Sequence, residues 1–328
     1  MKQLLLALIL TTSCGAALPA RQSPKPTPAQ AAKPAEAKQI DAARLLEDAR
    51  ALSADSMEGR GTGTKGGELA RAYIVRRFTE AGVAPLWPAY EQPFELPSKG
   101  GRGVNVVGYV RGTKYPERFV VVTAHYDHLG VRDGQIYNGA DDNASGVAVL
   151  LQLAAHYGGT AAARPEHSLI FAALDAEEIG LVGAGELVKK FRAEKRDVAL
   201  DVNLDMVGHS ERGELYASGA YHTPTLRPTL ERVAAGAPVK LLIGHDRPEQ
   251  GHDDWTNQSD QYAFHKAGVP FVYFGVEDHK DYHKPSDDFD TLTRDFFVAA
   301  AETVLEAVRA LDAELDTAVA APKSKRNT

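Results

Sequence analysis

Residues 119–127 read FVVVTAHYD, a nearly continuous apolar run that ends directly in His125 and Asp127. Such a run, rich in β-branched residues, is typical of a strand buried on both faces of a sheet. Two more apolar runs end in acidic residues in the same way, LIFAALDAEE at 169–178 and VALDVNLD at 198–205. Because ligand sites in an open α/β sheet lie at the carboxyl ends of the strands, the three endings predict one shared site.

The rest of the folded region indicates the same fold class. Between residue 39 and about residue 312, apolar runs alternate with stretches of helical periodicity, which is the pattern of a single α/β domain. The expected strands are Val104–Val110, Arg118–Ala124, Ser168–Leu174, Val198–Leu204 and Pro270–Phe274. The expected helices are Ala42–Leu52, Gly66–Ala81, Ser145–His156, Leu181–Arg192, Thr225–Ala234 and Arg294–Leu311.

Composition excludes some classes of protein. The chain has 328 residues, of which 44% are hydrophobic, and this is enough for one large buried core. Its net charge of -7 argues against a nucleic-acid-binding surface, and a basic cluster occurs only in KSKRNT at the end. We therefore expect no nucleic-acid partner, and we expect residues 313–328 to form a flexible tail.

The N-terminus has the features of an export signal. Residues 1–20 combine a lysine, the apolar run LLLALIL and small residues, as in a cleaved signal peptide. Cys14 follows the apolar run, which resembles a bacterial lipoprotein signal; the alternative is cleavage further on, giving a soluble secreted protein. Residues 21–38 are rich in Pro, Ala and Lys and are expected to form a disordered linker. We expect an exported protein, either a periplasmic or cell-envelope lipoprotein or a secreted one, with membrane contact only through a lipid on Cys14.

His125 and Asp127 form a His-x-Asp pair. Side chains two residues apart in an extended segment share a face, so the Asp127 carboxylate can hold the His125 imidazole in one tautomer. Such a pair is usually a solvated surface feature. At the end of a buried strand, and with other acidic segments expected nearby, a metal-ligand role for His125 is the better interpretation.

The stretch GADDNASG at 139–146 joins a glycine-rich turn to a predicted helix. Its Asp and Asn residues could simply cap that helix. Capping does not require two consecutive aspartates ahead of the cap. A carboxylate that bridges two cations through its two oxygens is therefore the competing interpretation.

Glu177 and Glu178 are adjacent glutamates after a buried strand, where two unpaired carboxylates would repel each other. They could form an ordinary acidic first turn of the following helix, which the helix dipole favours. The alternative is that one glutamate binds a metal while the other acts as a general base toward a water.

Charge balance supports a pair of cations. Asp142, Glu177, Glu178 and Asp205 together carry four negative charges, which two divalent cations would cancel. Two such ions can polarise a carbonyl and lower the pKa of a water. Ligation by histidine and carboxylate suits zinc best, with cobalt or manganese as substitutes.

Five segments in this order, AHYDH, GADDNASG, LDAEEIGLVGA, NLDMVG and YHKPSDD, resemble the M28 family of co-catalytic zinc aminopeptidases. SMEGRGTGTKGGELA at 56–70 extends the resemblance. The family implies a three-layer α/β/α sandwich around a mixed, largely parallel sheet. It also implies two Zn²⁺ ions whose protein ligands are His125, Asp142, Glu178, Asp205 and His283.

The resemblance assigns further roles. Asp142 bridges the two ions, Glu177 is the general base, Asp127 orients His125, and Tyr282 hydrogen-bonds the developing oxyanion. The family also implies a cis peptide bond after Asp142. Where many relatives carry a histidine after Ser-Asp, this chain has Gln261. Six other histidines receive no role: His128, His209, His245, His252, His265 and His279.

The expected function is that of an exported metallopeptidase, an aminopeptidase that acts on peptides with a free N-terminus. Two alternatives remain. One is a glutaminyl-cyclase-like acyltransferase that uses a single zinc, and the other is a metal-free binding protein that keeps the fold.

Overall fold

The computed structural model describes residues 40–97, 100–159 and 164–320. The signal peptide, the lipoprotein cysteine and the linker predicted at residues 1–38 lie outside this range, as do residues 321–328 of the predicted tail. Among the residues that are described, no helix combines the length and apolar character needed to cross a bilayer.

Eleven strands occur in the described part of the chain. They are β1 (Ala84–Pro85), β2 (Glu91–Glu95), β3 (Arg102–Val110), β4 (Tyr115–His125), β5 (Gly130–Arg132), β6 (Gln135–Tyr137), β7 (His167–Leu174), β8 (Asp197–Leu204), β9 (Glu214–Ser218), β10 (Lys240–Ile243) and β11 (Phe271–Gly275). Nine of them form one mixed sheet in the order β1-β3-β7-β4-β8-β11-β9-β10, with β2 paired to β3. β5 and β6 form a separate hairpin.

The centre of the sheet consists of parallel strands. β7 pairs with β4, β4 with β8, and β8 with β11, and all three pairings are parallel. On either side of this block the strand direction changes, since β3 is antiparallel to β7 and β9 is antiparallel to β11. The three strands whose endings predicted a shared site are therefore parallel neighbours, as expected.

Eight helices surround the sheet in the described residues. They are α1 (Ala42–Leu52), α2 (Lys65–Glu80), α3 (Gly146–Gly158), α4 (Val182–Ala193), α5 (Arg227–Gly236), α6 (Gln261–Lys266), α7 (Arg294–Ala313) and α8 (Leu315–Ala318). α3 is buried on nearly all sides, and together with α1, α2, α5 and α7 it joins one core with Val120 and Val122 of β4. α4 and α6 form a second core with Val121. Because side chains alternate across a strand, these cores lie on opposite faces, and the predicted three-layer α/β/α sandwich is confirmed.

The predicted tail boundary at residue 313 is wrong. α7 continues to Ala313, and α8 follows it almost at once. Leu315 and Ala318 lie three residues apart, so they share one face of α8. Both side chains pack into the first core and are each 1% exposed.

Candidate metal centre

All five predicted ligands reach one edge of the sheet. His125 is the last residue of β4, Asp205 directly follows β8, and Glu178 lies in the turn after β7. His283 comes from the loop after β11, and Asp142 comes from the turn that leads into α3. The five side chains line a single cleft of about 280 Å³.

The ligand atoms form two groups on either side of Asp142. On one side, His125 Nε2 lies 3.4 Å from Asp142 Oδ1 and 3.2 Å from Asp205 Oδ1. On the other side, His283 Nε2 lies 3.0 Å from Asp142 Oδ2 and 3.5 Å from Glu178 Oε2. Each group thus contains one imidazole, one carboxylate and one oxygen of the shared Asp142.

These separations fit ligands that share an ion. Donor atoms bound tetrahedrally at zinc distances are about 3.3 Å apart, as follows from a metal–ligand distance of about 2.0–2.1 Å. A charge-assisted hydrogen bond between an imidazole and a carboxylate is shorter, about 2.7–2.9 Å. Histidine nitrogen and carboxylate oxygen are also the donors that zinc accepts. The donor set and its spacing therefore fit zinc on both sides of Asp142.

The turn at 140–145 resolves the two interpretations of GADDNASG. Asn143 Oδ1 accepts the main-chain N–H of Gly146 at 2.9 Å, so Asn143 caps the first turn of α3. The Asp142 carboxylate is left to face the cleft. The main-chain N–H groups of Asp141 and Asp142 donate to the two oxygens of Asp287 at 3.0 and 3.1 Å. The peptide bond after Asp142 is cis, as predicted.

Asp127 acts on its neighbours differently from our expectation. Its carboxylate lies 3.8 Å from His125 Nδ1, whereas its own main-chain carbonyl oxygen lies at 3.1 Å from that nitrogen. The carboxylate instead accepts the main-chain N–H of Glu177 at 3.1 Å and the hydroxyl of Thr62 at 3.0 Å. Asp127 therefore holds the His125 ring through its backbone and fixes the glutamate turn through its side chain.

Glu177 and Glu178 do not form the first turn of a helix. α4 begins only at Val182, and both glutamates lie in the preceding turn, with side chains that line the cleft. Burial, together with the charges of Asp260 and Asp205, raises the pKa of Glu177 well above its usual value. A raised pKa is typical of carboxylates that transfer protons in active sites.

The histidines and carboxylates of the cleft balance each other's charge. Although burial alone would raise it, the pKa of Asp142 is held well below its usual value by His128, His125 and His283. Burial would lower the pKa of His283, but Asp142 and Glu178 raise it. Cations bound here would replace the protons that the imidazoles of His125 and His283 otherwise carry.

Three aromatic side chains contribute to the wall of the cleft. Tyr282 stacks on the His283 ring with centroids 4.0 Å apart, and Trp255 and Tyr273 line the same cleft. Gln261 is not part of this wall. It is fully buried and donates to the main-chain carbonyl of Trp255 at 2.7 Å, so it supports the wall from behind.

Arg60 has a structural role beside the cleft that no local sequence pattern indicated. The side chain is buried, and its guanidinium donates to the main-chain carbonyl oxygens of Leu52, Tyr126, Asn138 and Gly139 at 2.5 to 2.8 Å. Burial lowers its pKa to about 10 against the field of nearby carboxylates, so Arg60 remains cationic at neutral pH. It therefore connects the segment that carries Asp127 to the segment that leads to Asp142.

We expect Arg60→Met to lower the free energy of unfolding by at least about 3 kcal/mol, because it leaves several buried carbonyl groups without a donor. Urea unfolding of the purified protein measures this effect. Arg102→Met is the matched control, since the Arg102 side chain is 70% exposed and pairs with the exposed Glu95; it should change the free energy of unfolding by less than about 1 kcal/mol. Equal stability of both variants would contradict this role of Arg60.

Comparisons with known proteins identify the family of the chain. The family model for peptidase family M28 matches residues 105–308. A probable zinc metalloprotease of Pyrenophora teres f. teres is 28% identical over 252 residues, which are 67% of this chain and 50% of that protein. Aminopeptidase YwaD of Bacillus subtilis is 30% identical over 220 residues, which are 62% of this chain and 44% of that protein. The chain thus spans about half the length of these relatives.

Solved structures share the fold. LapB from Legionella pneumophila superposes with a TM-score of 0.68 at 22% identity, covering 84% of this chain and 73% of that one. A glutaminyl cyclase from Porphyromonas gingivalis gives a TM-score of 0.66 at 18% identity, covering 82% of this chain and 98% of that one. Because the family match extends over more than half of the sequence, and over all five predicted ligands, the chain belongs to peptidase family M28.

Proposed function

We propose that this protein is a zinc-dependent aminopeptidase that hydrolyses the N-terminal bond of peptides. The observation that carries the proposal is the Asp142 carboxylate, whose Oδ1 faces His125 at 3.4 Å and whose Oδ2 faces His283 at 3.0 Å. A carboxylate shared by two histidine-containing groups supports a centre for two ions. Relatives named as zinc metalloprotease and aminopeptidase favour the same class of enzyme.

His125, Asp205 and Asp142 would hold one zinc ion, and His283, Glu178 and Asp142 would hold the other. When bound, two zinc ions polarise the scissile carbonyl and lower the pKa of a water. The side chains of this chain supply the proton transfers and the orientation of the substrate.

Glu177 is the proposed general base. Its raised pKa suits a group that accepts a proton from the attacking water and then donates it to the leaving amine. Its main chain is held by the Asp127 carboxylate, which limits the directions its side chain can take. The hydroxyl of Tyr282 would donate a hydrogen bond to the developing oxyanion. Burial raises the pKa of Tyr282, which keeps this hydroxyl protonated.

The cleft suits the first residue of a peptide. Trp255, Tyr273 and Met206 line the cleft beside the proposed ligands, where an uncharged side chain can pack. Asp278 lines the same cleft and can attract the free α-amino group. The enzyme would then act at chain ends, because an internal residue has no such ammonium group.

An assay of aminoacyl-nitroanilide substrates tests the proposed function. We expect release of nitroaniline that a chelator abolishes, and we expect added zinc to restore it, because both proposed ion positions are built from ligands of high zinc affinity. An acetylated version of the same substrate is the control, since it lacks the free amino group. Equal turnover of free and acetylated substrates, or activity that survives complete zinc removal, would contradict the proposal.

The same preparation distinguishes the alternatives. A glutaminyl-cyclase-like enzyme would convert an N-terminal glutamine into pyroglutamate, which mass spectrometry detects as loss of ammonia. A metal-free binding protein would contain no zinc by elemental analysis. We favour hydrolysis because two groups, each with one histidine and one carboxylate, flank Asp142, whereas the cyclase-like alternative uses a single zinc.

We also propose that the protein is exported, on the basis of residues 1–20. A mature N-terminus at or beyond Cys14 in mass spectra would support export.

A further inference from the structure

His128 is a buried histidine for which the sequence offered no role. It directly follows Asp127 and is 2% exposed. Its Nδ1 lies 2.6 Å from Glu178 Oε1, which is a direct hydrogen bond. Because an ionised carboxylate can only accept, His128 Nδ1 carries the hydrogen. The other ring nitrogen, Nε2, has no hydrogen-bond partner in the residues that the structure describes.

The distance between His128 and Glu178 is shorter than the distances between the proposed ligands of one ion. The ligand pairs on either side of Asp142 are 3.0 to 3.5 Å apart, whereas His128 and Glu178 are at 2.6 Å. Two donors on one tetrahedral zinc ion do not approach this closely, since their expected separation is about 3.3 Å. His128 therefore acts on Glu178 rather than beside it as a ligand.

The hydrogen bond leaves one oxygen of Glu178 for the cleft. Oε1 is held by His128, while Oε2 lies 3.5 Å from His283 Nε2. We propose that His128 is a positioning residue that holds Glu178 in the orientation in which Oε2, and not Oε1, binds the ion next to His283. This inference rests on the two-zinc centre of the proposed function.

The surroundings of His128 fit the ring closely. A Cβ atom added at Gly139 would lie 2.4 Å from His128 Cδ2, and Gly139 also has a φ of +54°, so only glycine leaves room for the imidazole. The main-chain N–H of His128 points to the carbonyl oxygen of Arg60 at 3.4 Å. The ring is therefore confined to the position that reaches Glu178. Partners of this kind, which orient a metal ligand without touching the metal, commonly change metal affinity by about 10- to 100-fold when removed.

Zinc titration of full-length variants tests the inference. His128→Leu keeps much of the volume and removes the donor, whereas His128→Asn keeps an N–H near the position of Nδ1. The control is His167→Leu, because His167 is also 2% exposed and its Nδ1 lies 3.0 Å from Asp312, but it stands at the start of β7, at the opposite edge of the sheet. Competition with a fluorescent zinc chelator gives the affinity for each ion, and the spectrum of the cobalt-loaded protein reports ligand geometry.

We expect His128→Leu to bind one ion as the wild type does and the other about 10- to 100-fold more weakly. His128→Asn should recover most of this loss, and folded His167→Leu should show none. If His128→Leu does not fold, His128→Gln replaces it. The glutamine amide lies farther from the backbone than Nδ1 of histidine does, so His128→Gln should bind the weaker ion less tightly than His128→Asn. Wild-type zinc binding in His128→Leu, or equal affinities of the Asn and Gln variants, would overturn the inference while leaving the proposed function intact. A wild-type protein that binds fewer than two zinc ions would remove both.

Discussion

Glu177→Gln should lower kcat for aminoacyl-nitroanilides by about 10²- to 10⁴-fold, because glutamine has nearly the same shape but cannot accept a proton. The loss should appear in kcat with little change in KM, since the side chain is not needed to bind the ground state. Steady-state kinetics of the zinc-loaded variant measures this effect. Elemental analysis on the same sample should give the wild-type zinc content, because Glu177 is not among the proposed ligands.

A matched control for Glu177→Gln is Glu186→Gln, since the Glu186 side chain lies on α4, outside the cleft, and pairs with Lys189. It should retain full activity. Wild-type turnover in Glu177→Gln with zinc bound would refute the assigned base. Loss of zinc in that variant would instead indicate that Glu177 is itself a ligand.

Asp142→Ala should lower the affinity for both zinc ions by more than about 100-fold, because each ion loses one of its protein ligands at once. His283→Ala and Asp205→Ala provide the comparison, since each removes a ligand from only one side of Asp142. Those variants should keep one ion at wild-type affinity. Zinc competition titrations on the three purified proteins measure the difference.

Circular dichroism of Asp142→Ala provides the control for folding, because the main-chain N–H of Asp142 still reaches Asp287 after the substitution. A folded Asp142→Ala protein that loses only one ion would show that the carboxylate does not bridge. Identical zinc isotherms for Asp142→Ala and His283→Ala would lead to the same conclusion.

The central parallel strands could be predicted because they are buried on both faces. Runs such as Val120–Val122 therefore contain few polar residues and are easily recognised. The edge strands could not be recognised in this way. β2 has the sequence EQPFE, which contains a proline and a single large apolar residue, and β10 consists of four residues with a charged start. Short edge strands of this kind obtain their stability from pairing with a neighbour rather than from their own sequence.

His283 lies in a loop and was assigned only from the family resemblance. The four other proposed ligands could be recognised in the sequence because each stands next to a strand end or in an unusual acidic turn. The partners that hold them could not. His128 meets a glutamate 50 positions away in the sequence, and Arg60 meets main-chain carbonyls up to 79 positions away. Neither contact leaves a local pattern. The role of Asp127 was only partly predictable, because its carboxylate turns toward Glu177 and Thr62 rather than toward the adjacent histidine ring.

A crystal structure of the zinc-loaded protein, with anomalous differences recorded at the zinc absorption edge, tests the two-ion centre most directly. We predict two peaks, one on each side of Asp142, at ligand distances of about 2.0–2.2 Å. One peak should contact His125 and Asp205, and the other should contact Glu178 and His283. A single peak, or two peaks that do not share Asp142, would contradict the account.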